Sequence, residues 1–214
     1  AIDFHMPCIC SPLVRPGREA EAAPVISKQL SDTILRQGII FFIIETSMIN
    51  MEDLCLVSGK AAWMAYLDVY CLDADGALFD AALFSAVAAF SSLEIPTVSL
   101  NDEGRVVIVV PGEGEPINGE NKKLNLKTLP FSLTCLLHKN YIVADPTAEE
   151  ESVMETYLTV VLDSSTSRLL SLSKPGGSGL AQKAEIQECV EFAGKRVKEL
   201  KKILNEAISD MDVD

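Results

Sequence analysis

Residues 71–80 read CLDADGALFD, and inside them Asp73 and Asp75 stand two apart at the end of an apolar run. Carboxylates so spaced, on a turn that follows a strand, suit phosphoryl-transfer chemistry. That chemistry needs more than one loop. A Thr or Ser hydroxyl should hold the phosphate, and the position carries Ala77. A lysine should neutralise the phosphoryl oxygens, a role open to Lys174 in KPGG. A further acidic pair on a later strand should complete near-octahedral ligation of magnesium. After Lys174 only a helical pattern and an acidic tail remain. The plainer reading is a polar turn entering a helix, with Asp80 in the first turn, where the helix dipole favours an anion.

The loop resembles the Asp-x-Asp-Gly-Thr-Leu segment of haloacid-dehalogenase-type phosphatases, with Asp73 as nucleophile and Asp75 as acid. The missing hydroxyl and missing later acids weigh against that resemblance. Other catalytic constellations are thinner. His5, Cys8 and Cys10 form half a metal site with no second Cys/His pair to close it, so neither metal nor other cofactor is expected. His5 and His138 supply no arguable Ser-His-Asp set. GGSG before the last helix lacks the Lys of a phosphate-binding loop and reads as a flexible turn.

Stepping outward, the 214 residues suffice for one large domain or two small ones. They are 48% apolar, with mean hydropathy +0.23. The longest apolar run, 38–44, stops at Glu45, far short of a bilayer span, so no membrane partner is expected. An apolar balance without a span points to surface buried against other subunits. The net charge of −13 is opposite to that of a free nucleic-acid binder, so RNA contact must come from local cations or from partners. Six scattered cysteines without C-x-x-C read as reduced thiols, hence nucleus or cytosol. The chain opens on a strand-like run, Ala1 to Ile9, without Met, from which missing upstream sequence is expected.

The elements follow from periodicity. Ile26, Leu30 and Ile34 recur every four residues in a helix over about 20–37. The buried run 38–45 favours a strand. A strand over 61–72 places Leu67, Val69 and Cys71 on one face, and 79–93 is an Ala-rich helix, apolar all round and so enclosed. TVSL and RVVIVV flank a Gly-containing turn as a hairpin. Strands are expected over 131–137, 140–144, 155–163 and 168–173. A final helix over 182–208 carries Ile186, Val190, Ala193, Val197, Leu200 and Leu204 on one seam. Strands with a few covering helices, arranged twice, give an α+β (mixed α/β) class.

Several segments then resemble one family. SGKAAWMAYLDVYCLDADGALFDAALFSAVAAF is similar to the core strand-turn-helix of RNase PH-like ring subunits of the RNA exosome. RPGREAEA, NYIVADPTAEEE with YLTVVLD, and SKPGGSGL resemble further segments of such subunits in the same order. The resemblance implies an RNase PH-like fold (ribosomal protein S5 domain 2-like), N-terminally incomplete. Its first half would span 1–112, a polar loop 113–127, and its second half 128–214 with the long helix. Without the opening strands a sheet edge lies open, and the isolated chain is expected to aggregate or need partners.

Active members of the family are phosphorolytic 3′-to-5′ exoribonucleases that grip phosphate with Gly-Thr-Arg. The matching residues are Gly76, Ala77 and Leu78, so the guanidinium fork and the hydroxyl are both missing. Asp145 and Glu151 match the family's acidic positions in kind, either as a surviving general acid or as part of a capped, solvated turn, ADPTAEEE. The expected function is therefore a non-catalytic exosome ring subunit, in the nucleus, nucleolus and cytoplasm. It would sit among other RNase PH-like subunits and S1/KH cap subunits, with RNA passing through the channel. Arg15 and Arg18 are the candidates for touching RNA phosphates, ahead of Lys122 and Lys123. The alternatives are an active phosphorolytic subunit and the phosphatase.

Overall fold

The computed structural model describes residues 1–17, 20–35, 47–100, 106–108, 122–139, 141–154, 156–175, 177 and 179–211. The first half contains β1 (Ile2–His5), α1 (Ala22–Leu35), a 3₁₀ turn (Met51–Leu54), β2 (Cys55–Val57), β3 (Ala61–Ala62), β4 (Leu67–Tyr70), α2 (Leu78–Ser91), β5 (Glu94–Ile95), β6 (Val98–Leu100), β7 (Val106–Ile108) and β8 (Lys122–Lys123). The second half contains β9 (Pro130–His138), β10 (Tyr141–Ala144), α3 (Ala148–Val153), β11 (Tyr157–Asp163), β12 (Leu169–Ser173) and α4 (Lys183–Met211).

Two sheets and three long helices stack in layers. β1 and β4 pair in parallel, from Ile2 opposite Leu67 to His5 opposite Tyr70. A second, antiparallel sheet runs in the order β10-β9-β11-β12. Between the sheets lie α1 and α2: α1 meets β1 and α2, and α2 meets both β4 and β9. Helix α4 covers the far face of the second sheet, against β9, β10 and β11.

The sequence accounts for this order. Ala23, Ile26, Leu30 and Ile34 bury one stripe of α1. Helix α2 touches both sheets, and its buried residues, Ala82, Leu83, Ala86, Val87 and Phe90, mix small side chains that admit close approach with large ones that fill the gaps. Strand β9 is sandwiched between α2 and α4, so its residues from Pro130 to Leu137 are all buried and only His138 is exposed. Phe131 meets Phe84 of α2 with ring centroids 5.7 Å apart. Each such fully buried Leu or Phe contributes about 2 to 3 kcal/mol from burial.

A buried carboxylate closes the β11–β12 turn. Asp163 accepts from the amides of Leu129 (3.1 Å), Ser165 (3.3 Å) and Thr166 (3.1 Å) and from Thr166 Oγ1 (2.6 Å). Burial would raise its pKa, but these donors outweigh burial and hold the carboxyl below its ordinary value.

The expected helices and second-half strands are present, with three differences. The strand expected over 61–72 is confined to β3 and β4, because 63–66 pair with no neighbour in a ladder. Lys122 and Lys123, read as loop, form β8 and pair with Ile95 and Glu94, which ties that segment to the first half. ADPTAEEE is more than a turn: Thr147 caps α3 in a capping box with Glu150. The hairpin survives as β6 against β7, while its turn and the run 38–45 fall outside the described residues.

Candidate phosphate-site turn

The site is the turn between β4 and α2. Gly76 takes φ +82°, open to glycine at little cost. A Cβ there would run into Pro146 O and lie 2.6 Å from Thr147 C and 2.8 Å from Ala148 N. The absence of a side chain thus lets this turn press directly on the backbone that enters α3. Ala77 follows in the left-handed region, φ 44° and ψ 35°, as the N-cap of α2 with no side-chain cap. A non-glycine residue there carries roughly 1 to 2 kcal/mol of strain.

Three contacts hold the turn in place. Asp75 Oδ1 accepts from Ala148 N at 3.3 Å. Ala77 N donates to Glu151 Oε1 at 2.9 Å. Glu151 is itself held from behind, since Tyr157 donates its hydroxyl to Glu151 O at 2.6 Å. Burial, then the Glu151 charge, raises the Tyr157 phenol above its ordinary pKa. The α2 N-terminus therefore already has an internal anion. The cavity in front of it, about 400 Å³, is lined by Arg15, Gly76, Leu78, Ala148 and Glu151 among others.

In the first turn of α2, Asp80 is that helix's only charged residue. Its Oδ2 accepts from Thr134 N at 2.6 Å, where β10 has left β9 and the Asp145 amide donates to Thr134 O at 3.0 Å. The side chain thus supplies an acceptor that the ladder lacks. Oδ1 of Asp80 is sealed from solvent without a hydrogen-bond partner, and so is Ser132 Oγ. Burial pushes the Asp80 carboxyl up to about 6; the Ser132 hydroxyl dipole and Thr134 oppose the rise, and the Asp145 charge adds to it.

The structure sorts the sequence candidates. Gly76, Ala77, Leu78 and Glu151 come together, with Arg15 on the same cavity. Asp145 does not join them. It lies in the left-handed region at φ 56°, contacts Arg196 at 3.4 Å, and lines a separate cavity of about 320 Å³ with Leu133, Phe192 and Glu199 among others. Arg18 lies outside the described residues. Asp73 is exposed, and Asp75 serves the turn. Among the described residues no group of three or more His, Cys, Asp or Glu is placed to hold a metal. His5 instead stacks on Tyr70, 4.7 Å between centroids, and meets Asp68 at 3.3 Å. No described helix is long and apolar enough to cross a membrane.

Sequence reasoning missed two contacts. The Glu151–Ala77 bond joins residues 74 positions apart, and no local pattern announces it. Asp80 did leave a signal: a lone carboxylate in an otherwise uncharged, enclosed helix requires a buried donor.

Comparison with known proteins agrees with this architecture. The model of the 3′ exoribonuclease family matches with its first domain over residues 1–96 and with its second over 128–196. The chain is 30% identical to exosome complex component rrp43 of Schizosaccharomyces pombe, over 86% of this chain and 62% of that protein. It is 32% identical to exosome complex component Rrp42 of Pyrococcus furiosus, over 94% of this chain and 65% of that protein. It therefore spans somewhat under two thirds of the length of these two relatives. In fold it matches a chain of the Archaeoglobus fulgidus exosome with RNA bound to the active site, with TM-score 0.71 and 23% identity over 94% of this chain and 69% of that one. An archaeal exosome core chain gives TM-score 0.66 and 21% identity over 94% and 67%. That fold replaces the phosphatase reading of Asp73 and Asp75. With both domains matched in order and the layers agreeing, the chain belongs to the 3′ exoribonuclease, RNase PH-like family.

Proposed function

We propose that this chain is a non-catalytic subunit of an RNA exosome ring, supporting 3′-to-5′ RNA processing by shaping the channel rather than by cleaving. Its partners are other RNase PH-like ring subunits and S1/KH cap subunits, with RNA passing through the assembled channel, in nucleus, nucleolus and cytoplasm. The relatives named as exosome components support the assembly.

The observation that carries the non-catalytic reading is the Glu151 carboxylate on Ala77 N. In active relatives the resemblance puts a phosphate at this turn, gripped by Thr and Arg. Here the Ala77 amide is taken, and the Leu78 side chain offers no donor in place of the Arg fork. An entering phosphate would meet the like charge of Glu151. At a separation on the order of 4 Å two unit charges repel by about 1 kcal/mol in water and about 4 kcal/mol at the effective dielectric of a protein surface. The helix terminus returns only about 0.3 to 1 kcal/mol. Repulsion from Glu151 matches or exceeds what the helix terminus supplies, and phosphoryl transfer depends on the Thr-Arg clamp that is missing here. Arg15, exposed on the same cavity, is the group left to touch an RNA phosphate.

Affinity purification of the chain from cells, with associated proteins identified by mass, tests the assembly. RNase PH-like and cap subunits in equal stoichiometry are expected; recovery without them would refute ring membership.

A further inference from the structure

The second sheet meets helices on both faces, α2 on one side and α4 on the other. Among the described residues, the first sheet meets α1 and α2, and its exposed side chains lie on the opposite face. Ile2, Phe4, Val69 and Cys71 turn inward and are buried. Tyr70 of β4 turns outward and is 63% exposed, and the chain flanking β4 continues the alternation, with Met64 71% exposed, Tyr66 70% and Leu72 76%. Such regular alternation of large apolar and aromatic side chains is the pattern of a sheet face that another element covers.

The charges on this face narrow the occupant. Asp3 and Asp68 are paired in register across β1 and β4, and both are exposed. Like charges directly opposite destabilise a strand pair. His5 reaches Asp68 at 3.3 Å, and its ring stacks on Tyr70. A cation brought from outside would relieve the pair, and the tyrosine rings beside it favour Arg or Lys. The stripe from Met64 to Leu72 is at most about 26 Å long at strand rise, the length of a helix of about 18 residues. The second sheet shows the same arrangement satisfied: α4 lies across it, burying Cys189, Ala193, Val197 and Leu204.

We propose that the outer face of the β1–β4 sheet is a docking surface for an amphipathic helix of a partner chain, with an apolar stripe that seats on Met64, Tyr66, Tyr70 and Leu72 and Lys or Arg on its margin opposite Asp3 and Asp68. The source of that helix rests on the ring reading; the chemistry of the face does not.

Two experiments separate the two claims. In the first, a photo-crosslinking benzoylphenylalanine replaces Tyr66 in the chain co-expressed with ring and cap subunits. Adducts mapping to a Lys/Arg-bearing helix of a partner are expected. Adducts confined to residues 36–46 of the same chain, to a second copy or to RNA would overturn the docking inference, as would no adduct in a chain that still co-purifies with the ring. In the second, the purified chain, first shown to be monodisperse by gel filtration and cooperatively folded by circular dichroism, is titrated with 18-residue Leu/Lys and Leu/Glu amphipathic helical peptides, followed by fluorescence anisotropy. Saturable binding of the Leu/Lys peptide, weakened at least tenfold by Tyr66→Glu with Tyr70→Glu, is expected. Equal binding of both peptides, no binding, or binding indifferent to the substitutions would overturn it. The two glutamates add negative charge, so weaker binding of a cationic peptide reports lost apolar seating.

Discussion

Replacing Asp80 by Asn probes the contact between the α2 entry and the second sheet. Ionised, Asp80 binds the Thr134 amide at 2.6 Å, while its Oδ1 makes no close hydrogen bond and is opposed only by the nearby Ser132 hydroxyl dipole. Its carboxyl is raised from 3.8 to about 6 in the fold, chiefly by burial. A carboxyl raised on folding contributes its full stability below the unfolded pKa and loses it as pH climbs through the folded one. The wild-type chain should therefore lose stability between about pH 4 and pH 6 on account of this residue. At 1.36 kcal/mol per pKa unit the loss is about 3 kcal/mol as an upper figure. Asn cannot ionise. Its carbonyl accepts from Thr134 and its amide donates to Ser132. It forgoes a charge-assisted bond and a helix-terminus interaction together worth about 1 to 2 kcal/mol. That deficit varies little above pH 6, so the pH-dependent difference is the signal. Urea unfolding of both proteins from pH 4 to 7.5, followed by circular dichroism, should show the variant gaining about 2 to 3 kcal/mol on wild type across that range. Parallel profiles, within about 1 kcal/mol throughout, would refute the placement of Asp80 as a buried, under-satisfied carboxylate.

Other perturbations have equally definite outcomes. Gly76→Ala places a Cβ against the Pro146–Ala148 backbone at a positive φ and should cost at least about 3 kcal/mol in chemical denaturation, while Ala77→Gly removes strain and should stabilise by about 1 kcal/mol. Asp163→Ala strips the donors of the β11–β12 turn of their acceptor and should cost about 2 to 4 kcal/mol near neutral pH. Because the Asp163 pKa is lowered in the fold, its contribution is present above the unfolded pKa and is lost as pH falls through the folded one. The wild-type and Asp163→Ala unfolding curves should therefore converge in acid.

Much of the layering was legible because apolar periodicity reports burial. The four-residue recurrence of Ile26, Leu30 and Ile34 marks α1, and the apolar Phe131, Leu133, Cys135 and Leu137 mark β9 as a strand; that Ser132 and Thr134 are buried as well became clear only with α2 and α4 in place. The turn itself was legible from Gly76 and the missing Thr-Arg pair, through resemblance to a family. What Glu151 does there was not. A glutamate in ADPTAEEE satisfies local rules as a first-turn residue of α3, and only the three-dimensional approach of α3 to the α2 N-terminus gives it a second partner. Likewise Lys122 and Lys123 look like loop because two-residue strands have no periodicity to read, and their pairing with Glu94 and Ile95 is set by tertiary contact. The outer face of the first sheet shows the converse. The sequence put Leu67, Val69 and Cys71 on one face, but that Met64, Tyr66, Tyr70 and Leu72 stand exposed on the other required the positions of α1 and α2.

The most direct test of the central claim is phosphate-dependent release of nucleoside diphosphates from a 3′-extended RNA by the chain, assayed both alone and within its purified complex. The account predicts no release attributable to this subunit, and rates unchanged by Asp145→Asn or Glu151→Gln. Release that requires inorganic phosphate and disappears on Asp145→Asn would contradict it.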